Sequence, residues 1–136
     1  MTAADCLFCR IVAGEIPAQI VAESDAALAF ADINPATRGH TLVIPKAHAA
    51  DIHEISAADL TACALLAKDV AARVLARLGA DGVNLLHSAG AAAWQTVFHF
   101  HIHVIPRYAD DPLRLPWTAP PGEPGQIAAA AAALRD

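Results

Sequence analysis

Three histidines stand at alternate positions in the segment His99-Phe100-His101-Ile102-His103-Val104-Ile105. Along an extended chain, side chains alternate between two faces. The spacing therefore puts three imidazoles on one face and Phe100, Ile102 and Val104 on the other, where they can pack. Folding alone gives no reason for such a row, because neighbouring imidazoles bury poorly and repel when protonated. Two chemistries would use it. Three histidines can ligate a catalytic metal, or one can serve as a nucleophile with the others as helpers, neutral imidazole being nucleophilic near pH 7. Spacing does not choose between them. A second reactive pair, Cys6 and Cys9, forms Cys-x-x-Cys. It fits a metal clamp, a redox pair or two plain thiols, although the βαβ context of a thioredoxin-like motif is missing. Cys63 falls in an apolar helical pattern and reads as a small core residue.

The elements that must position these groups follow from pattern and punctuation. A short helix is expected from Asp5 to about Val12, with Asp5 as its cap and Gly14 ending it. Strands are expected over Gln19–Ala22 and Ala26–Ala31, joined by a turn at Glu23, Ser24 and Asp25. A third runs from His40 to Ile44 and is stopped by Pro45. The clearest helix spans Ala57 to Leu78: Ser56 caps it, Asp59 sits in the capping-box position, and Gly79 closes it. Its apolar stripe reads Leu60, Ala64, Ala67, Ala71, Val74 and Leu78. Two further strands, Gly82–His87 and Val97–Ile105, flank a small-residue loop from Ser88 to Trp94. This order predicts an α+β domain around an antiparallel sheet, with one long helix and a short N-terminal one.

Composition narrows the function. A chain of 136 residues buries roughly two-thirds of its unfolded surface in one core. We read residues 1–108 as the catalytic domain and 109–136 as a Pro-rich tail that ends in a possible short helix over Gln126–Leu134. The net charge is −5, with only 9 Lys and Arg, so no basic stripe exists for nucleic acid. No apolar run is long enough for a membrane span. The opening Met1-Thr2-Ala3-Ala4-Asp5 has neither the basic region nor the apolar run of a leader, so a cytoplasmic location is the expectation. An odd count of three cysteines argues against a disulfide framework.

The His-x-His-x-His pattern and several ordered segments around it resemble the histidine triad (HIT) family. The matching segments are Gly14-Glu15-Ile16-Pro17, Phe30-Ala31-Asp32-Ile33-Asn34-Pro35, Gly39-His40-Thr41-Leu42-Val43-Ile44-Pro45-Lys46 and Gln95-Thr96-Val97. The resemblance implies a HIT-like fold and a nucleotide hydrolase or transferase. His101 would attack the α-phosphorus of a purine nucleoside phosphoramidate or dinucleoside polyphosphate and carry the nucleotide briefly. A main-chain carbonyl would hold the second proton of His101. His103 would hydrogen-bond the phosphate oxygens, and Thr96 would donate to the phosphoryl or the leaving group. Phe30 and Ile33 would form the base slot and Asp32 would accept from the ribose, with turn formation the competing role for Asp32. Ser88 and Gln95 complete the nucleotide-contacting set; Ser88 stands where the family has asparagine, and Trp94 where it has glycine. Some relatives pair the Cys-x-x-Cys with two histidines around a structural zinc, which here implies Cys6, Cys9, His48 and His99. His40, His53 and His87 are left as surface or packing residues. The resemblance also implies a homodimer. The readings that compete with a hydrolase are a purine-nucleotide binding module with incidental turnover and a three-histidine metalloenzyme.

Overall fold

The computed structural model describes residues 5–135, so the first four residues of the stretch read for a leader lie outside the described residues. Five strands form one antiparallel sheet in the order β1-β2-β3-β5-β4. They are β1 Ile20–Glu23, β2 Ala27–Ala31, β3 Thr41–Pro45, β4 Gly82–Leu86 and β5 Ile102–Arg107. Among the described residues three α-helices accompany them: α1 Leu7–Val12, α2 Ala57–Leu78 and α3 Pro124–Leu134. The class is α+β, as the sequence predicts. No helix among the described residues is long and apolar enough to cross a membrane.

Both faces of the central strands are covered. Ala27 and Ala29 of β2, Val43 of β3 and Val104 of β5 face α2, together with Phe100 just upstream of β5. The alternate residues Leu28, Phe30, Leu42 and Ile44 pack instead against Cys6 and Phe8 at α1. A strand covered on both sides has no polar face, which explains why β3 is apolar at four consecutive positions, Leu42 to Pro45. Phe100 is 1% exposed, and full burial of such a side chain contributes about 1.5–3 kcal/mol.

Helix α2 has the bounds and caps its sequence predicts. Ser56 Oγ accepts from Asp59 N, and Gly79 takes the left-handed conformation at φ 69°. Its buried residues are Cys63, Leu66, Ala67, Val70 and Val74. Of the expected stripe, Ala67 and Val74 are buried, Leu60, Ala71 and Leu78 are half-buried against the core, and Ala64 is exposed. The stripe is thus centred slightly to one side of the expected line. Alanines satisfy a helical period on several faces; the bulkier Leu66 and Val70 decide which face turns inward.

Two other expectations need correction. The cap of α1 is Cys6, whose Sγ accepts from Cys9 N, and not Asp5. The last strand begins at Ile102, not Val97, because the backbone upstream is spent elsewhere. The Phe100 N–H donates to the Ala49 carbonyl at 2.6 Å. The carbonyls of His99 and His101 accept from the rings of His101 and His87. The facial alternation nevertheless holds through this segment: Phe100, Ile102 and Val104 pack toward α2 while the histidines face the α1 side.

Gly39 fixes where the loop before β3 enters the sheet. Its φ is +90°, and a Cβ there would overlap Leu78 Cδ1 and lie 3.3 Å from Pro106 Cγ. Left-handed strain and overpacking add in the same direction. Gly39→Ala is expected to cost about 2–4 kcal/mol and to lower Tm by roughly 10 °C in thermal unfolding. An unchanged Tm would mean that Leu78 yields freely.

After β5, Arg107 and Asp111 form a bidentate pair with both contacts at 2.9 Å. The Arg107 guanidinium beside Asp111 holds its carboxyl well below the usual carboxylate range. Beyond it the chain is extended as far as α3, which starts two residues earlier than expected: Glu123 caps it and Pro124 occupies the first turn. Almost all of α3 is exposed.

Candidate active site

The histidine segment leaves the sheet beside α1, and its hydrogen bonds fix the tautomer of each ring. A backbone carbonyl can only accept, and a backbone N–H can only donate. His101 Nδ1 lies 2.8 Å from the His99 carbonyl, so Nδ1 carries the proton and Nε2 keeps its lone pair. His101 is 5% exposed, yet no fully buried side-chain nitrogen or oxygen among the described residues lacks a partner. Its unpartnered Nε2 therefore opens onto the adjoining cavity. Burial pushes the His101 pKa below its ordinary 6.5, which keeps the ring neutral near pH 7. Phe8 meets the ring edge-on, with centroids 5.3 Å apart.

That cavity, about 330 Å³, lies between α1, the loop after it, β2 and the histidine segment. One end is apolar, lined by Phe8, Ile11, Ile16, Phe30, Leu42 and Val97; Asp32, Thr96, His101 and His103 supply the polar end. The volume is at the low end for small-molecule sites, where apolar walls with a few convergent polar groups are the rule. Ile33 also lines it, but at 89% exposure it stands at the mouth. Asp32 Oδ1 accepts from Asn34 N at 2.8 Å, the turn-forming contact expected of an Asp here, while its other oxygen lies 3.5 Å from His40 Nε2.

The structure thus brings Phe30, Asp32, Ile33, Thr96, His101 and His103 to one cavity. It does not bring Ser88 or Gln95 to the wall. Gln95 is 4% exposed and its carboxamide is fully engaged: Oε1 accepts from Gly90 N at 2.7 Å, and Nε2 donates to Ala50 and Val97 carbonyls. It fastens the loop that carries Thr96. Within that loop Trp94 adopts φ 73°, the only non-glycine residue with positive φ among the described residues. It is exposed and stacks on Trp117 of the tail at 6.0 Å.

A second cluster joins α1 to the histidine segment. Cys6 Sγ and Cys9 Sγ lie 3.3 and 3.4 Å from His99 Nδ1. His48 Nδ1 lies 3.3 Å from both Cys9 Sγ and His99 Nδ1. All four ligand atoms fall within 4.8 Å of one another. His99 Nε2 donates to the Pro45 carbonyl at 2.8 Å, which leaves Nδ1 as a lone pair aimed at the thiols. A tetrahedral zinc needs ligand separations of about 3.3 Å between nitrogens and about 3.6 Å between sulfur and nitrogen. The donor set and its spacing fit that ion. Burial, with Cys6 beside it, pushes the Cys9 thiol up to about 11, so Cys9 is not a ready thiolate nucleophile.

Two histidines left as surface or packing residues have defined partners. His87 Nδ1 donates to the His101 carbonyl at 3.0 Å, its Nε2 accepts from Ile52 N at 3.1 Å, and its ring lies on Phe100. His40 is 6% exposed, with Nε2 2.9 Å from His103 Nδ1. Alternation puts His40 on the face of Leu42, and the pairing of Leu42 with His103 across the sheet, which no local pattern supplies, brings it to the triad. His53 is exposed.

The HIT domain family model matches residues 13–110. Adenosine 5'-monophosphoramidase hnt1 of Schizosaccharomyces pombe is 40% identical over 125 residues, 91% of either chain. The solved structure of SMU.412c from Streptococcus mutans UA159 aligns with TM-score 0.90 at 37% identity, covering 96% of this chain and 83% of its own. A Zn-bound histidine triad family protein from Mycobacterium smegmatis aligns with TM-score 0.79 at 39% identity, covering 97% and 96%.

Proposed function

The chain belongs to the HIT domain family, and from that premise we propose that it cleaves purine nucleoside phosphoramidates or dinucleoside polyphosphates at the α-phosphate. The observation that carries this reading is the tautomer of His101, with Nδ1–H held by the His99 carbonyl and Nε2 bare toward the cavity. The nucleoside sits with its base between Phe30 and the apolar wall near Ile33, and with its ribose hydroxyls donating to Asp32. His101 Nε2 forms the bond to phosphorus as the bond to the leaving group breaks. A leaving amine takes up a proton from solvent water at the mouth of the cavity as its bond to phosphorus breaks, whereas a polyphosphate leaves as an anion and needs less help. Water then cleaves the phosphorus–nitrogen bond and regenerates neutral imidazole. His103 and Thr96 donate to the phosphoryl oxygens, where charge spreads in the transition state. The name of the fission yeast relative, an adenosine 5'-monophosphoramidase, favours the phosphoramidate.

Cys6, Cys9, His48 and His99 would hold zinc. With four protein ligands the ion has no open position, so its contribution is structural; it ties α1 to the nucleophile's segment. The Zn-bound relative supports the choice of ion.

Turnover of adenosine phosphoramidate, diadenosine triphosphate and diadenosine tetraphosphate tests the assignment. Release of adenosine monophosphate over many cycles is expected, fastest from the phosphoramidate. Tight nucleotide binding with no multiple turnover of any of the three would replace the enzyme with a nucleotide-binding module.

A further inference from the structure

His40 sits at the head of β3 and takes part in a chain of contacts that begins on the backbone. The Ala36 N–H donates to His40 Nδ1 at 2.9 Å. An amide hydrogen cannot face a second N–H, so His40 Nδ1 is unprotonated and the single ring proton is on Nε2. That Nε2–H points at His103 Nδ1 at 2.9 Å and, more distantly, at Asp32 Oδ2 at 3.5 Å. The same logic then applies one ring further on. His103 Nδ1 must accept, so a neutral His103 carries its proton on Nε2, the nitrogen on the side of the ring away from His40.

From this we infer that His40 is a positioning residue that fixes His103 as the Nε2–H tautomer, so that His103 presents a hydrogen-bond donor beside the bare Nε2 of His101. The two rings, with centroids 4.9 Å apart, then offer complementary nitrogens: a lone pair on His101 for phosphorus and an N–H on His103 for an oxygen bound to it. In the opposite tautomer, His103 would aim a lone pair at an anionic oxygen and repel it. Burial holds both His40 and His103 below the ordinary histidine pKa, His103 at about 4, so both are neutral at pH 7 and the tautomer argument applies. Asp32 faces the same Nε2–H. It joins the end of the cavity assigned to the ribose to the end assigned to the phosphate.

The inference rests on the nucleotide reading for its catalytic consequence, but its structural part is measurable without turnover. Long-range ¹H–¹⁵N correlation on the ¹⁵N-histidine-labelled full chain at pH 7 identifies the protonated nitrogen of each ring. The wild type is expected to show His103 as Nε2–H. His40→Phe keeps a ring without the donor and should leave His103 as a tautomer mixture; His40→Gln keeps an amide donor and should retain Nε2–H. With adenosine phosphoramidate, kcat should fall between about 10- and 1,000-fold in His40→Phe. KM should move little, and His40→Gln should recover most of the loss. An Nδ1–H pattern for His103 in the wild type overturns the inference, as do Phe and Gln variants equally impaired. If the wild type turns over no nucleotide yet shows His103 as Nε2–H, the hydrolase reading fails while the tautomer assignment stands.

Discussion

His101→Ala is expected to reduce turnover of adenosine phosphoramidate by roughly 10⁴-fold or more, the scale on which loss of a covalent nucleophile registers. The reason is geometric. His101 Nε2 opens onto the cavity with its lone pair committed outward by the 2.8 Å bond from Nδ1 to the His99 carbonyl, and no neighbour can replace it. His103 has its proton on the wrong nitrogen for attack, and His99 turns its free nitrogen to the two thiols. Nucleotide affinity should survive in the variant, since the apolar wall and Asp32 are untouched. Wild-type enzyme quenched in alkali, where a bond from phosphorus to the imidazole nitrogen survives, should carry one nucleotide on His101, and the variant none. The pH profile follows from the burial of the ring. Attack needs neutral imidazole, and the pKa of His101 lies below its ordinary 6.5. The rate should therefore stay flat from pH 8 through neutrality and fall only as acidity passes through the folded value, below the ordinary histidine range. Residual turnover within tenfold of wild type would remove His101 as the nucleophile.

The parts of this site that were legible in the sequence are those whose signal is local. Alternation in the His99–Val104 segment separates packing residues from imidazoles regardless of whether a ladder forms, and so it survived the late start of β5. The caps of α2 are likewise local, Ser56 and Gly79 flanking a single periodic run. What pattern could not supply was long-range pairing. The role of His40 depends on Leu42 standing opposite His103, a register that alternation within either strand leaves open. The cap of α1 passed from Asp5 to Cys6 because a thiol drawn toward His99, 93 positions away, is also in reach of Cys9 N. Gln95 illustrates the converse. A polar residue beside the triad reads as a ligand contact, but its amide is consumed by three backbone groups of the folded loop.

Cys9→Ser should strip the metal and destabilise the chain by several kcal/mol, on the order of 3 or more, a fall in Tm of roughly 10 °C or beyond. The four ligand atoms join Cys6 and Cys9 at α1 to the segment after β3 and the segment before β5, which are themselves already tied by Phe100 N to the Ala49 carbonyl and Gln95 Nε2 to the Ala50 carbonyl. Without an ion, one buried and one half-buried thiol face two imidazoles at 3.3 to 3.4 Å with no charge to organise them. The damage should also reach the chemistry. Phe8, in the first turn of α1, packs edge-on to both Phe30 and His101 and lines the cavity, so loosening α1 widens the base slot and frees the nucleophile's ring. KM should therefore rise along with the stability loss, which a purely peripheral clamp would not produce. Zinc content by atomic emission, read beside thermal unfolding with and without chelator, separates the alternatives. About one zinc per chain in the wild type and none in Cys9→Ser supports the cluster. Metal retained by Cys9→Ser but lost from His101→Ala would place the ion on the triad and make the protein a three-histidine metalloenzyme. A wild type that binds no zinc, with a Tm indifferent to chelator, would leave Cys6 and Cys9 as core thiols whose contacts with His48 and His99 are ordinary packing.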